Sequence, residues 1–463
     1  MSFNSIYFLF TFLPCAFLLY YATPKRGKNV VLVLISLYFY GWGEPKYIIL
    51  LLALILINYL IGLRIDHAKG LKRKRALIEA LILNLFILVY FKYYGFILDT
   101  IFTFIPKFIQ YHPLLMPLGI SFFIFQIISY IFDIYNKKCD ASHNLISFSL
   151  YVSFFPKLIM GPIEPYHSFE KQINHHPISA QRLDCGSKRF VIGLAQKVML
   201  ANVFASIITQ MTNTSNTTIG AWFLTLTYTL QIYFDFCGYS NMAIGLANMF
   251  GFELMENFNY PYISKSISEF WRRWHISLGS FFKNYVYIPL GGNRVSKKVH
   301  IRNLMIVWLL TGLWHGASFN FIVWGIYYGI IIILEKYYFS TFLKKLPRLV
   351  QWLISFLLIM IGWVFFSTND LGDAFHQLST MFHLSGQSWM NQEVIWLAKS
   401  YFVYFVVGLV AITPIMKNLV NQYLKPRFKY YEQMVIVCYL LLFSLSLIYL
   451  MSDTFQSFLY FQF

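Results

Sequence analysis

The sequence predicts an all-α polytopic membrane protein with about ten spans, together with re-entrant and interfacial helices around a central tunnel. Its 463 residues are 58% hydrophobic and only 12% charged. Apolar runs recur from Phe3 to Leu450, at lengths that suit a hydrocarbon core about 30 Å thick. Basic stretches separate several of these runs, as they do in cytoplasmic loops. We expect one membrane-embedded domain over residues 1–463.

The overall charge and the cysteines exclude other classes of protein. A net charge of +18 is explained by cytoplasmic loops and does not indicate nucleic-acid binding. The five cysteines show no C-x-x-C spacing, so the sequence predicts neither a metal site nor a disulfide framework. The first apolar run is expected to be a span and not a cleaved signal peptide, because its basic flank follows it.

The distribution of lysine and arginine predicts the topology. The basic regions 64–75, 265–302 and 417–429 are expected in the cytoplasm, and the acidic loop 367–398 outside. This arrangement places the N-terminus and the C-terminus outside. The predicted spans are 3–21, 29–42, 46–63, 76–98, 114–135, 190–210, 219–250, 349–366, 400–416 and 432–451.

Three further segments do not fit simple spans. Residues 143–160 are apolar but have basic residues on both sides, so we expect them to re-enter the membrane or lie in its interface. Segment 303–334 must break and turn near Gly316–Asn320, or else violate the alternation of sides. Residues 267–285 show apolar positions at three- and four-residue spacing, which predicts an amphipathic helix on the inner leaflet.

Two histidines stand out as candidate catalytic groups. His315 lies alone in an apolar segment between Gly312 and Gly316, and Trp308, Thr311, Gly312 and Phe319 would share its face of a helix. A neutral imidazole there is a competent general base, but a structural hydrogen bond to a neighbouring helix explains it equally well. His275 falls between the apolar stripe and the basic face, where an ordinary interfacial histidine is the favoured interpretation.

Asp235 is a carboxylate within the predicted span 219–250. Ionisable groups at membrane depth are functional candidates, and His315 or Arg272 are possible partners. A structural hydrogen bond to Tyr239 is an equally weighted alternative.

Several motifs together resemble the membrane-bound O-acyltransferase family. They are E-F-W-R-R-W-H-I-S-L at 269–278, Y-I-P-L-G-G-N-R at 287–294 and G-L-W-H-G at 312–316, with further matches at 40–45, 160–164, 233–245, 257–262 and 458–463. The bacterial polysaccharide branch, which contains alginate and peptidoglycan O-acetyltransferase membrane subunits, is the most similar.

The resemblance implies a set of site residues. His315 would be the catalytic histidine and His275 the second motif histidine. The residues that would line a donor site or tunnel are Asp235, Arg272, Arg273, Trp274, Asn241, Trp314 and Glu164.

The resemblance also implies a reaction and its partners. Acetyl-CoA would be used from the cytoplasm as a substrate, with no bound cofactor. The acetyl group would pass across the inner membrane to a polysaccharide, directly or through a periplasmic partner of the serine-hydrolase type. Membrane lipid surrounds such a protein.

The sequence leaves three other functions open. The protein could transfer D-alanyl or another acyl group to an envelope polymer, since a teichoic-acid D-alanylation protein shares G-L-W-H-G. A transporter of a polysaccharide precursor would show inverted repeats with paired broken helices, and the sequence shows no such halves. A structural scaffold for an acetylation complex is a third alternative.

Overall fold

The computed structural model describes residues 1–104, 114–211, 216–384, 386–427, 429–452 and 458. Within these ranges every regular element is a helix. The described residues form two compact units, one of 1–190 with 240–255 and the other of 191–239 with 256–463. The loop at 212–218 and the terminal F-L-Y-F-Q-F stretch, both singled out in the sequence, lie largely outside the described residues.

The helices follow one another closely along the chain. The first unit contains Phe8–Phe12, Leu13–Ala22, Lys25–Gly27, Lys28–Gly43, Ile48–His67, Gly70–Phe104, Ile120–Tyr135, Leu145–Ser153, Phe155–Leu158 and Tyr166–Ile173. Two helices, Ala180–Ala195 and Thr218–Met249, contribute residues to both units. The second unit adds Gln196–Ala201, Asn202–Gln210, Pro261–Ile263, Ile267–Arg273, Ile276–Phe282, Lys283–Tyr287, Lys297–His315, Phe319–Leu334, Glu335–Phe339, Ser340–Lys345, Arg348–Ser367, Leu371–Met381, Gln392–Ser400, Phe402–Ala411, Ile415–Leu419, Val420–Leu424 and Tyr431–Ser452.

The class of an all-α polytopic membrane protein is confirmed, although fewer helices qualify as complete spans than the ten predicted. Six described helices are long and apolar enough to cross a bilayer, or seven if the pair Gln392–Ser400 and Phe402–Ala411, bent by 62°, counts as one span. Several predicted spans form shorter helices, such as Lys28–Gly43 and Ile120–Tyr135 with 16 residues each. Sixteen residues extend about 24 Å, less than a hydrocarbon core of about 30 Å.

The two segments that the sequence marked as irregular are indeed broken. Residues 143–160 form the helices Leu145–Ser153 and Phe155–Leu158, and neither is long enough to cross the bilayer. Segment 303–334 shows the break that was one of its two predicted alternatives, because one helix ends at His315 and the next begins at Phe319. Phe319 therefore does not share the helix face of His315, and its side chain is exposed.

The helices Lys297–His315 and Phe319–Leu334 form a tightly packed hairpin, which we call the histidine hairpin. A Cβ atom at Gly312 would collide with the carbonyl oxygen of Phe321, and one at Gly325 with that of Trp308. The two backbones therefore touch at a point where only glycine fits. Gly316 lies beyond the helix end and leaves room for the Phe321 ring.

We expect Gly325→Ala to destabilise the histidine hairpin by about 1–3 kcal/mol, because the added methyl group meets rigid backbone. Gly329→Ala on the same helix is the matched control, since its new methyl group would meet side-chain atoms, Met305 Sδ at 3.0 Å and Trp308 Cβ at 3.2 Å, and not a backbone carbonyl oxygen as at Gly325. Thermal melting of the detergent-purified proteins measures the difference. Equal melting temperatures for the two variants would contradict the packing argument.

Candidate active site

The W-R-R-W-H motif forms a broken helix and not the continuous amphipathic helix predicted from its periodicity. Helix Ile267–Arg273 begins with the Ser266 hydroxyl accepting a hydrogen bond from the Glu269 amide at 3.0 Å, and it ends before Trp274. His275 then takes a left-handed conformation with φ 44°, which non-glycine residues rarely adopt, and the next helix begins at Ile276.

Asn257 holds the chain in this broken shape. Its backbone carbonyl accepts a hydrogen bond from the Ile276 amide at 3.0 Å. Its side-chain oxygen accepts another from the Ser277 amide at 3.2 Å. The first amide groups of the second helix are thereby satisfied, which the left-handed residue alone could not achieve.

The break buries His275, which was expected at a surface boundary. The residue is only 2% exposed, and its ring packs against Phe236 at 4.6 Å and Trp314 at 5.7 Å between centroids. Within the described part of the chain, neither ring nitrogen makes a hydrogen bond of normal geometry. Burial lowers the pKa of His275 to about 3, and a contact with its own backbone opposes only part of that shift. The imidazole is therefore neutral at physiological pH.

His315 is the last residue of the first helix of the histidine hairpin. It is 4% exposed and surrounded by aromatic rings, with Trp314 at 5.0 Å, Trp324 at 4.9 Å and Phe366 at 5.1 Å. The Trp314 ring thus contacts both motif histidines, which the sequence separates by 39 intervening residues. The structure therefore brings His275 and His315 against the same indole ring.

A cavity of about 480 Å³ opens beside His275. Arg272, Trp274 and His275 line it, and so does Thr311, one helical turn before His315. Trp271 and Lys283 are further wall residues. The cavity could hold a slender organic chain with mostly apolar walls. A tunnel from this cavity past His315 to the opposite face stays a prediction.

The two arginines of the motif have different environments. Arg272 is exposed and lies on the cavity wall. Arg273 donates to the Glu269 carboxylate at 2.9 Å and to the Asn259 carbonyl at 3.0 Å. The contacts of Arg273 therefore stabilise the broken helix, and Arg272 is the arginine placed to meet a ligand.

Glu164 and Asn241 belong to the first unit, where each has a local partner. Glu164 accepts a hydrogen bond from the Met255 amide at 3.0 Å, and Asn241 accepts one from Arg189 at 3.1 Å. The same unit buries Lys157, whose ammonium group donates to Gln126 at 3.0 Å. In the sequence only the proline and glycine residues around Lys157 indicate an irregular segment there. Roles of Glu164 and Asn241 in a tunnel stay predictions.

Asp235 has a different partner from those considered in the sequence. Lys197 lies 2.5 Å from its carboxylate, and both side chains are only 3% exposed. Lys197 belongs to the π-helical stretch Gln196–Ala201. Gly238 permits the close approach, because a Cβ atom there would lie 2.8 Å from the Gly193 carbonyl oxygen. Spacing alone could not reveal this pair, since its residues lie on different helices.

Comparison with known proteins identifies the family of this chain, over a region that includes both histidine motifs. The profile of the membrane-bound O-acyltransferase family matches residues 35–369, so the chain belongs to this family. A probable alginate O-acetylase from Pseudomonas aeruginosa is 41% identical over 403 residues, covering 85% of this chain and 77% of the relative. A peptidoglycan O-acetyltransferase from Helicobacter pylori is 37% identical, covering 84% and 81%. A teichoic acid D-alanyltransferase from Bacillus subtilis is 29% identical, covering 57% and 71%.

The protein is therefore a multi-pass membrane O-acyltransferase. The relatives support a part in the O-acetylation of envelope polysaccharides, and the family is compatible with an acyl-donor substrate. The two motif histidines, the cavity beside His275 and the Lys197–Asp235 pair all belong to the second unit.

We expect removal of one charge from the Lys197–Asp235 pair to destabilise the protein more than removal of both. Asp235→Leu leaves a buried ammonium group, which costs about 3–5 kcal/mol, whereas the double variant Lys197→Met with Asp235→Leu should recover most of that loss. Thermal melting in detergent compares them.

The control for the Lys197–Asp235 prediction is Lys188→Met. It breaks a more exposed pair with Asp184, worth at most about 1 kcal/mol. A double variant that melts no higher than Asp235→Leu would show that the buried pair is not the reason for the loss.

Proposed function

We propose that this protein transfers an acetyl group from acetyl-CoA, taken from the cytoplasm, towards a cell-envelope polysaccharide, with His315 as the general base. The observation that carries the proposal is the pairing of the two buried motif histidines around Trp314, next to a cavity of about 480 Å³. The names of the relatives support acetyl as the acyl group and a polysaccharide such as peptidoglycan or an alginate-like polymer as the acceptor.

The proposed reaction needs no group beyond the side chains and the thioester. The hydroxyl oxygen of the acceptor attacks the thioester carbonyl carbon while His315 takes the hydroxyl proton, and the carbonyl electron pair moves onto oxygen. The resulting oxyanion collapses, the C–S bond breaks, and the leaving thiolate takes the proton from His315. A thioester is activated enough for this exchange.

His275 suits the role of a neutral hydrogen-bond donor in this reaction. Because burial keeps its imidazole uncharged, it carries one N–H group, and no described residue accepts from it. Such a donor can stabilise an oxyanion in a site from which water is excluded. Its position on the cavity wall, one indole away from His315, supports this assignment.

The cavity suits the donor in shape and charge. Its apolar walls fit a pantetheine arm, and the cationic side chains of Arg272 and Lys283 suit the phosphates of coenzyme A. We propose that the donor enters here and that the acceptor approaches His315 from the other side of the membrane. The acceptor is the polymer itself or a periplasmic acyltransferase of the serine-hydrolase type.

D-alanyl transfer is the second candidate. The D-alanyltransferase relative matches a smaller share of the chain, 57%, than the O-acetyltransferases do. Supplying the purified protein with acetyl-CoA and with a D-alanyl thioester in parallel discriminates between these two donors.

We expect His315→Ala to lower acetyl transfer by roughly 10²–10⁴-fold, because a general base is lost. His376→Ala is the matched control, since His376 is an exposed histidine on the helix Leu371–Met381. Radiolabelled acetyl transfer from acetyl-CoA by the purified proteins is the measurement. Activity of His315→Ala above a tenth of wild type would exclude the base role.

The proposed direction of transfer requires a defined topology in the inner membrane. We expect a cysteine at Lys72→Cys to react with a membrane-impermeant maleimide only after the cells are opened, and one at Asp373→Cys to react in intact cells. Both positions are exposed, and the wild-type chain gives the labelling background of its native cysteines. The reverse pattern would invert the proposed sides.

A further inference from the structure

Two buried indole groups near the histidines lack the acceptor that such groups normally have. The Nε1 atoms of Trp271 and Trp324 are buried, and no residue in the described ranges accepts a hydrogen bond from them. An N–H donor left unsatisfied in a nonpolar interior is costly, and native structures contain few of them. Two such indole groups in contact with each other indicate a binding site for a ligand that supplies a hydrogen-bond acceptor.

The positions of the two indoles connect the cavity with the catalytic histidine. Trp271 lies on the cavity wall, four residues before His275. Its ring packs edge-on against Trp324, with centroids 5.4 Å apart at 88°. Trp324 is fully buried and packs edge-on against His315 at 4.9 Å. The two indole N–H groups without an acceptor therefore lie between the cavity proposed for coenzyme A and His315, the proposed base.

In other tryptophans of the same unit the indole N–H group donates a hydrogen bond to a protein oxygen. Trp363 packs on Trp324 at 6.3 Å, and its Nε1 donates to the Tyr262 hydroxyl at 3.2 Å. Trp352 donates to the Tyr262 carbonyl at 2.8 Å, and Trp222 donates to the Met381 carbonyl at 2.8 Å. Of these three tryptophans Trp363 is buried and the other two are half-buried, and each finds a protein acceptor. Trp271, which is half-buried, and Trp324, which is buried, differ from them in this respect.

We propose that the indole N–H groups of Trp271 and Trp324 bind the carbonyl oxygen of the acyl thioester and stabilise the oxyanion that forms on it. The inference rests on the proposed acyl transfer and adds two substrate-binding residues to it. A carbonyl oxygen has two lone pairs and can accept both indole bonds. The oxyanion formed from it has a third lone pair, which can accept the N–H group of His275.

The chemistry of the indole suits this role. When the acceptor oxygen attacks, the carbonyl π electrons move onto this oxygen, so bonds from fixed donors strengthen as the negative charge develops. When the C–S bond breaks, the electrons return to form the new ester carbonyl. Indole groups carry no charge and are held rigidly by their neighbours, so they need no counter-ion in a nonpolar site.

The test replaces each tryptophan by phenylalanine, which keeps an aromatic ring and removes the N–H group. Trp271→Phe and Trp324→Phe should each lower kcat for acetyl transfer, by up to about 10²–10³-fold for one lost oxyanion donor. Trp363→Phe is the matched control, because it removes an N–H group that is bound to Tyr262. We expect its kcat to stay within about threefold of wild type.

A binding experiment separates the proposed contact from a general structural effect. S-acetonyl-coenzyme A carries a stable ketone oxygen near the position of the thioester carbonyl, whereas S-ethyl-coenzyme A has no carbonyl. The wild-type protein should bind the ketone more tightly than the thioether. In each phenylalanine variant the ratio of the two affinities should fall by about fivefold, while the affinity for the thioether stays at the wild-type value. The thioether affinity also shows that the variants are folded.

The possible outcomes distinguish failure of the proposed function from failure of the indole contact alone. If the wild-type protein binds neither analogue, coenzyme A is not the donor and the proposed function fails together with this inference. If the wild-type protein prefers the ketone and both variants keep that preference, the proposed function stands and the indole contact is excluded. Loss of the preference in the two variants, with its retention in Trp363→Phe, would support the contact.

Discussion

The glycine contact inside the histidine hairpin is the constraint on which the catalytic region depends. Gly312 and Gly325 let two helical backbones meet, so the chain turns immediately after His315 and returns along the same helix. That return places Trp324 against the imidazole. A larger residue at either glycine would push the helices apart and remove the aromatic wall of the site. The position of His315, the proposed base, is therefore a consequence of backbone packing.

The site combines satisfied and unsatisfied polar groups in a consistent way. Asn257 accepts hydrogen bonds from the amide groups at the helix break, and Arg273 donates to Glu269. By contrast, the nitrogens of His275, Trp271 and Trp324 have no acceptor among the described residues. The two oxygen atoms of Asn257 and the guanidinium group of Arg273 thus maintain the shape of the site, while His275, Trp271 and Trp324 keep nitrogen atoms that a substrate could contact. This division is expected of a preorganised site.

The buried ion pair between Lys197 and Asp235 adds a second constraint. Buried ion pairs contribute little net stability. We therefore infer that this pair serves to position the helix that carries Asp235. Asp235 directly precedes Phe236, whose ring packs on His275. Pairing with Lys197 fixes the rotation and register of the helix that presents Phe236. A mismatch there would leave a charge in a nonpolar environment, which makes alternative registers costly.

The membrane class and the family follow from the sequence alone, because hydropathy, charge and short motifs are local properties of the chain. For segment 303–334 the sequence left two alternatives, a break near Gly316–Asn320 or a violation of the alternation of sides. Only the tertiary structure decided the burial of His275, the partner of Asp235 and the orphaned indoles of Trp271 and Trp324. The apolar periodicity of 267–285 predicted a continuous helix, but hydrogen bonds that Asn257 accepts from the Ile276 and Ser277 amides maintain a left-handed residue in its middle. Contacts between residues distant in the chain depend on how helices pack, and no spacing rule within one helix encodes them.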